Sequence, residues 1–156
     1  GDSGLFDGWE VEVFGVDISR RCVAAARAGA YGEQAFRSPE AEPMRRWFHL
    51  RGGKWVVDDA LRAKVRFSRE NLLAPRALAA VPRVDVVFCR NVMIYFDLEA
   101  RRRALRLLHE KLREGGWLLL GHAETLLNVT ADFELVHLRT QLVYRKPAPA
   151  AVERAP

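Results

Sequence analysis

The sequence predicts an α/β fold organised around a mostly parallel sheet. Two observations carry this: apolar β-branched runs alternate with capped helical segments, and those runs are long and predominantly apolar, as in strands of a mostly parallel sheet covered on both faces. The bulk composition agrees. The 156 residues are 49% hydrophobic and 29% charged, which is the make-up of a folded globular chain of one-domain size and excludes wholesale disorder, collagen and coiled coil. No apolar run approaches the roughly 20 residues of a membrane span. The start, Gly1-Asp2-Ser3-Gly4, lacks the basic and apolar regions of a signal peptide.

The first strand candidate is Val11-Glu12-Val13-Phe14-Gly15-Val16-Asp17-Ile18. Ser19 caps the next helix, Arg20 to Ala28, and Gly29 stops it. Residues 31–53 are rich in Gly, Pro and charge and read as loop, with a short apolar patch at Trp47-Phe48. Lys54-Trp55-Val56-Val57-Asp58 reads as a short strand inside an insertion. Val65-Arg66-Phe67 is another strand, leading to Glu70-Asn71-Leu72-Leu73.

Val84-Asp85-Val86-Val87-Phe88-Cys89 reads as an interior parallel strand. Asp97 caps a helix in which Leu98, Leu105, Leu108 and Leu112 recur at helical spacing, and Gly115-Gly116 is read as its end. Trp117 to Gly121 is a further buried strand. Phe133–Val136 and Gln141–Arg145 are expected to close the domain as an antiparallel pair, and residues 147–156 read as a Pro/Ala-rich linker or tail.

The two cysteines, Cys22 and Cys89, stand in apolar stretches without framework spacing. They are expected to be buried, reduced thiols in a cytoplasmic protein. His49, His109, His122 and His137 have no metal-ligand spacing. The net charge of +5 is carried by 21 Arg and 4 Lys. It reads either as a solvated surface or as a basic face for an acidic partner, and no aromatic-interleaved basic motif favours nucleic acid.

In sheets of this class, ligands bind beyond the C-terminal ends of the strands. That places Asp17, Asn71, Cys89-Arg90-Asn91 and Gly121-His122 at the ligand edge. An acid at the position of Asp17 suits the two hydroxyls of a ribose, so a nicotinamide dinucleotide and S-adenosylmethionine both fit; it equally suits a helix N-terminus. Arg90 and Asn91 emerge from a very apolar strand, and Tyr95-Phe96 lie just before a capped helix. A turn at Asn91 and a hydrophobic staple at Tyr95-Phe96 account for part of that pattern, but not for the arginine. His122 and Glu124 read either as turn and cap or as residues of a substrate mouth.

Gly15-Val16-Asp17-Ile18-Ser19, Tyr31, Val65–Leu72, Val86–Asp97, Gly115–Leu126 and Val143–Lys146 together resemble the C-terminal catalytic domain of the chemotaxis receptor methyltransferases. These are S-adenosylmethionine-dependent protein-glutamate O-methyltransferases. The resemblance runs from about Val11 to Lys146, and Phe88–Asp97 is its most specific stretch. It implies a Rossmann-like class I methyltransferase sheet with an antiparallel last strand, spanning 1–146, and a small β-subdomain insertion at about 32–59. Some members grip a receptor-tail peptide through such an insertion.

By resemblance Asp17 binds the cofactor ribose, Asn71 and Leu72 border the adenine, and Cys89, Arg90 and Asn91 pass alongside the cofactor. Tyr95 lies near the transferable methyl, with Tyr95 and Arg90 as the expected catalytic pair. The expected partner is the cytoplasmic helices of a methyl-accepting receptor, and the product S-adenosylhomocysteine. A non-catalytic receptor-binding module is the alternative; a nicotinamide oxidoreductase leaves Phe88–Asp97 unexplained.

The resemblance also implies a first strand and a glycine-rich, acid-containing loop that the 156 residues do not contain. The expectation is an N-terminally incomplete domain. Its strands at Val11–Ile18 and Val84–Cys89 would have unpaired edges and self-associate, and methyl transfer by this stretch alone would be absent.

Overall fold

The computed structural model describes residues 6–139 and 141–148. The chain divides between Asn71 and Leu72 into two units. The tail expected from residue 147 lies, but for its first two residues, outside the described residues, as does Gly1–Gly4.

The first unit opens with β1 (Val13–Asp17) and α1 (Arg20–Ala28). Both agree with the sequence reading, caps included: the Ser19 hydroxyl accepts the Cys22 N–H at 3.3 Å, and Gly29, at φ 59°, donates to the Ala25 and Ala26 carbonyls. Residues 31–53 are not simply loop. They hold β2 (Ala30–Tyr31), 3-10 turns at Glu33–Phe36 and Glu42–Trp47, and β3 (Phe48–Arg51). β3 forms a hairpin with β4 (Lys54–Val57), and β2 adds to the other side of β4, giving an antiparallel sheet in the order β2-β4-β3.

Aromatic packing gives that short-stranded sheet its core. Phe36, buried, meets Phe48 and Trp55 edge-on at 4.9 and 5.8 Å. The Arg45 guanidinium stacks over Phe36 and Trp55 and pairs with Glu33 at 2.6 Å, and Glu33 also accepts the Trp55 indole N–H at 2.7 Å. After the single turn α2 (Asp59–Arg62), β5 (Val65–Arg69) runs parallel to β1, with Asp17 opposite Arg69. Arg27 and Arg69 tie this pair by donating to the Phe67 and Ile18 carbonyls.

The second unit contains β6 (Val84–Cys89), α3 (Leu98–Lys111), β7 (Leu112–Leu120), β8 (Glu134–Leu138) and β9 (Gln141–Arg145), the strands ordered β6-β7-β9-β8. β6 and β7 are parallel; β9 is antiparallel to both β7 and β8, as the sequence predicts. Leu105, Leu108, Leu112 and Leu118 are buried together with Cys89, Met93 and Leu126. Lys146 is buried too. Its ammonium donates to the His109 and Leu112 carbonyls and pairs with Glu114 at 3.0 Å.

Three further expectations are corrected. The helix ends at Lys111, and Gly115-Gly116 lie inside β7 rather than at a helix stop. The register of β6 against β7 shifts between Val84 and Val86; Gly115, at φ 75°, and Gly116, whose Cβ would sit 2.8 Å from the Arg113 carbonyl, accommodate this irregularity. Cys22 is exposed, because α1 buries Val23 rather than the face that carries the thiol. Finally, β6 is not covered on both faces, since Val86 and Phe88 are exposed, and it is not interior, since among the described residues it pairs only with β7. β1 likewise pairs only with β5, leaving Val13, Val16 and Ile18 exposed.

Candidate functional site

In the first unit, β1 delivers Asp17 to its C-terminal end. The Asp17 side chain is exposed, and its Oδ1 accepts the Ser19 N–H at 2.7 Å, while its carbonyl accepts the Glu70 N–H. Asp17 therefore braces the turn into α1 and stands exposed at a parallel strand end. The N-cap proper is Ser19. Asn71, exposed, closes this unit two residues beyond β5.

The remaining residues belong to the second unit. Leu72 is half-buried against its core. Cys89 ends β6 opposite Leu120 and is buried; burial first, and the nearby Glu124 charge second, push its thiol up to about 12, so it stays protonated at neutral pH. Arg90 and Asn91 follow at the exposed strand end. Asn91 adopts φ 58°, the left-handed turn that asparagine tolerates. A 3-10 turn at Met93–Tyr95 then buries Met93 and leaves Tyr95 81% exposed. Of the two aromatics, Phe96 packs against the core and Tyr95 does not.

The loop after β7 lies beside this one. Gly121 leaves no room for a side chain: a Cβ there would come within 2.5 Å of Asn91 Oδ1 and 2.8 Å of Glu124 Oε2. Glu124 lies under the β6 loop. Its Oε2 accepts the N–H groups of Asn91 (2.7 Å) and Gly121 (2.8 Å), and its Oε1 those of Val92 (3.0 Å) and Met93 (2.8 Å). Burial pushes this carboxyl up, but the backbone hydrogen bonds outweigh it and hold its pKa below the ordinary value. From α3, Arg101 Nε donates to the Met93 and Phe96 carbonyls, both at 3.0 Å. Arg101 was not singled out in the sequence, where it is one arginine among many on a helix. His122 is exposed.

The residues expected to bind cofactor are thus split: Asp17 and Asn71 in the first unit, Leu72, Cys89, Arg90 and Asn91 in the second, which also holds Tyr95, expected to be catalytic. Asp17 ends β1, and Cys89, Arg90 and Asn91 stand at the end of β6, in each case the C-terminal end of a parallel strand. Among the described residues no helix is long and apolar enough to cross a membrane.

Residues 4–142 match the family model described as CheR methyltransferase, SAM binding domain. The chain is 37% identical over 137 residues to chemotaxis protein methyltransferase 1 of Pseudomonas aeruginosa, covering 86% of this chain and 49% of that protein. It is 38% identical over 138 residues to the chemotaxis protein methyltransferase of Klebsiella aerogenes, covering 85% and 46%. A probable biofilm formation methyltransferase of Pseudomonas aeruginosa, WspC, is 33% identical over 149 residues, covering 96% and 35%. The chain spans about half the length of the chemotaxis methyltransferases it matches.

Proposed function

The chain belongs to the CheR methyltransferase family, whose cofactor is S-adenosylmethionine, and on that premise we propose that it methylates glutamate side chains of chemotaxis receptors in the cytoplasm. The observation that carries this reading is the geometry of Phe88–Asp97. A buried strand end leads into exposed Arg90 and Asn91, and a tight turn then presents an exposed Tyr95. Polar groups in each unit suit parts of the cofactor: in the first, the Asp17 carboxylate can accept from two vicinal hydroxyls, and in the second, Asn91 and Arg90 offer neutral and cationic donors.

When bound, S-adenosylmethionine supplies a methyl on a sulfonium, which leaves sulfur as the acceptor oxygen bonds to it. The chain's own residues hold and align. A substrate glutamate, with a reference pKa of about 4.3, is already ionised near neutral pH, so no side chain needs to take a proton. Arg90 holds a carboxylate by its guanidinium, and the Tyr95 hydroxyl orients the acceptor. The sheet β2-β4-β3 serves as the small β-subdomain for a receptor tail.

The test uses the protein at its full natural length, S-adenosylmethionine labelled in the methyl, and a receptor cytoplasmic fragment. The expected product carries label that mild alkali releases as methanol, the signature of a carboxyl methyl ester. Alkali-stable label overturns the glutamate assignment, and binding without turnover makes the chain an interaction module instead.

For the 156 residues taken alone, we propose weak cofactor binding, no detectable turnover and self-association. The sequence holds no glycine-rich, acid-containing loop, and β1 and β6 each have one edge unpaired among the described residues. Turnover by this stretch, or a monodisperse monomer in light scattering, contradicts that proposal.

A further inference from the structure

A carboxylate has two oxygens and about four lone-pair sites, and accepts only. Glu124 uses that capacity on four backbone N–H groups, three of them consecutive, at Asn91, Val92 and Met93. Arg101 does the converse, sharing one Nε–H between the Met93 and Phe96 carbonyls. The two side chains line one cavity of about 20 Å³ beside Met93 and Leu105. One charge therefore holds the donors of this loop and the opposite charge its acceptors. The hold crosses strands, because Gly121 and Glu124 follow β7 while Asn91–Met93 follow β6.

This is more than a turn needs. Asparagine tolerates the left-handed conformation found at Asn91, and Asp97 already caps α3 by accepting the Ala100 N–H at 2.8 Å. What Glu124 and Arg101 add is a fixed backbone on either side of exposed Arg90 and Tyr95.

We infer that Glu124 and Arg101 are positioning residues for methyl transfer: together they lock the Arg90–Phe96 loop in one geometry, and through it set Arg90 and Tyr95. This rests on the methyltransferase reading above, in which alignment is the main work of the site, and a displacement of about 1 Å costs on the order of 100-fold in rate. Both oxygens of Glu124 face donors, so a glutamine in its place would set its own NH₂ against two backbone N–H groups whatever its orientation.

The test compares wild type, Glu124→Gln and Arg101→Lys in the protein at its full natural length. Arg101→Lys keeps the charge and removes the shared Nε–H, and it stands in should Glu124→Gln not fold. Amide exchange is read without cofactor, then S-adenosylhomocysteine binding by calorimetry, then methyl transfer. The calorimetric stoichiometry counts folded sites, and the Kd reports their geometry, so simple loss of folded protein lowers the first and leaves the second. In a variant with full stoichiometry, the expected results are amides at 91–93 exchanging at least tenfold faster, a Kd raised severalfold, and kcat lowered at least twentyfold. Unchanged amide exchange overturns the lock; loosened amides with wild-type Kd and kcat overturn its positioning role. A wild-type protein that binds S-adenosylhomocysteine but transfers no methyl to a receptor fragment overturns the glutamate reading instead, and the amide and Kd comparisons still decide the lock.

Discussion

The loops after β1 and after β6 occupy equivalent places, each at the C-terminal end of a parallel strand with a polar residue expected to meet the cofactor. They are held very differently. Asp17 is braced within its own turn, by the Ser19 N–H two residues away. The Arg90–Phe96 loop is held from outside, by Glu124 thirty or more residues on and by Arg101 from the following helix. A locally braced turn keeps its shape wherever α1 keeps its cap. A remotely braced loop keeps its shape only while two further elements stay in place. The first arrangement suits a residue that has only to bind; the second suits residues whose alignment must be set against a reaction.

The strongest way to break this contrast is at the seat of α3. Leu105 is only 1% exposed, and Leu105→Ala should destabilise the second unit by about 2–5 kcal/mol, read as a lowered denaturant midpoint. Amide protection should fall at 91–93 and persist at Ser19; equal loosening of both would erase the distinction. Next in size, Asp17→Ala should weaken S-adenosylmethionine binding by about 1.5–3 kcal/mol, the scale of hydrogen bonds to a charged group, and leave the amides at 91–93 unchanged. An unaltered titration would remove Asp17 from the site.

Ser19→Ala should cost about 1 kcal/mol of first-unit stability through the lost cap. Cofactor affinity should survive, because Asp17 accepts from the backbone N–H of residue 19, which alanine retains. The smallest effect is one of pH. The Glu124 carboxyl titrates below its ordinary 4.5, so it binds fewer protons folded than unfolded. Its stabilisation is complete above that value and declines as pH falls through the lowered one. Protection of the 91–93 amides should follow that course, and the Ser19 amide serves as the comparison; protection that instead declined as pH rose would contradict it.

Much of this arrangement is legible in the residues. Apolar, β-branched runs mark β1 and β6, Ser19 and Asp97 mark the helix starts, and Phe88–Asp97 is the most specific stretch of the family resemblance. What escaped has physical reasons. β3 reads Phe-His-Leu-Arg, too short and polar for a periodicity signal, and is a strand because β4 pairs with it. The signal that would have found it is Gly52-Gly53, both at positive φ, a two-residue hairpin turn. Leu112 fits the helical spacing as well as it fits a strand start, so the sequence pattern overextends α3. Glu124 was noticed, but its role was not, because four backbone N–H groups converging from two loops leave no trace in sequence spacing. Arg101 had no signal at all.

Lys146 has a consequence for where this domain can be cut. The residue belongs to no strand, yet its ammonium serves carbonyls near the end of α3 and at the start of β7, groups that a helix terminus otherwise leaves without partners. A version shortened to Arg145 would keep every residue of β9 and still take the ammonium from the His109 and Leu112 carbonyls and the partner from the exposed Glu114 carboxylate. The functional border of the fold therefore lies one residue past its last strand, where Lys146 adds a buried charge to the backbone bonds it shares with Gly115 and Gly116.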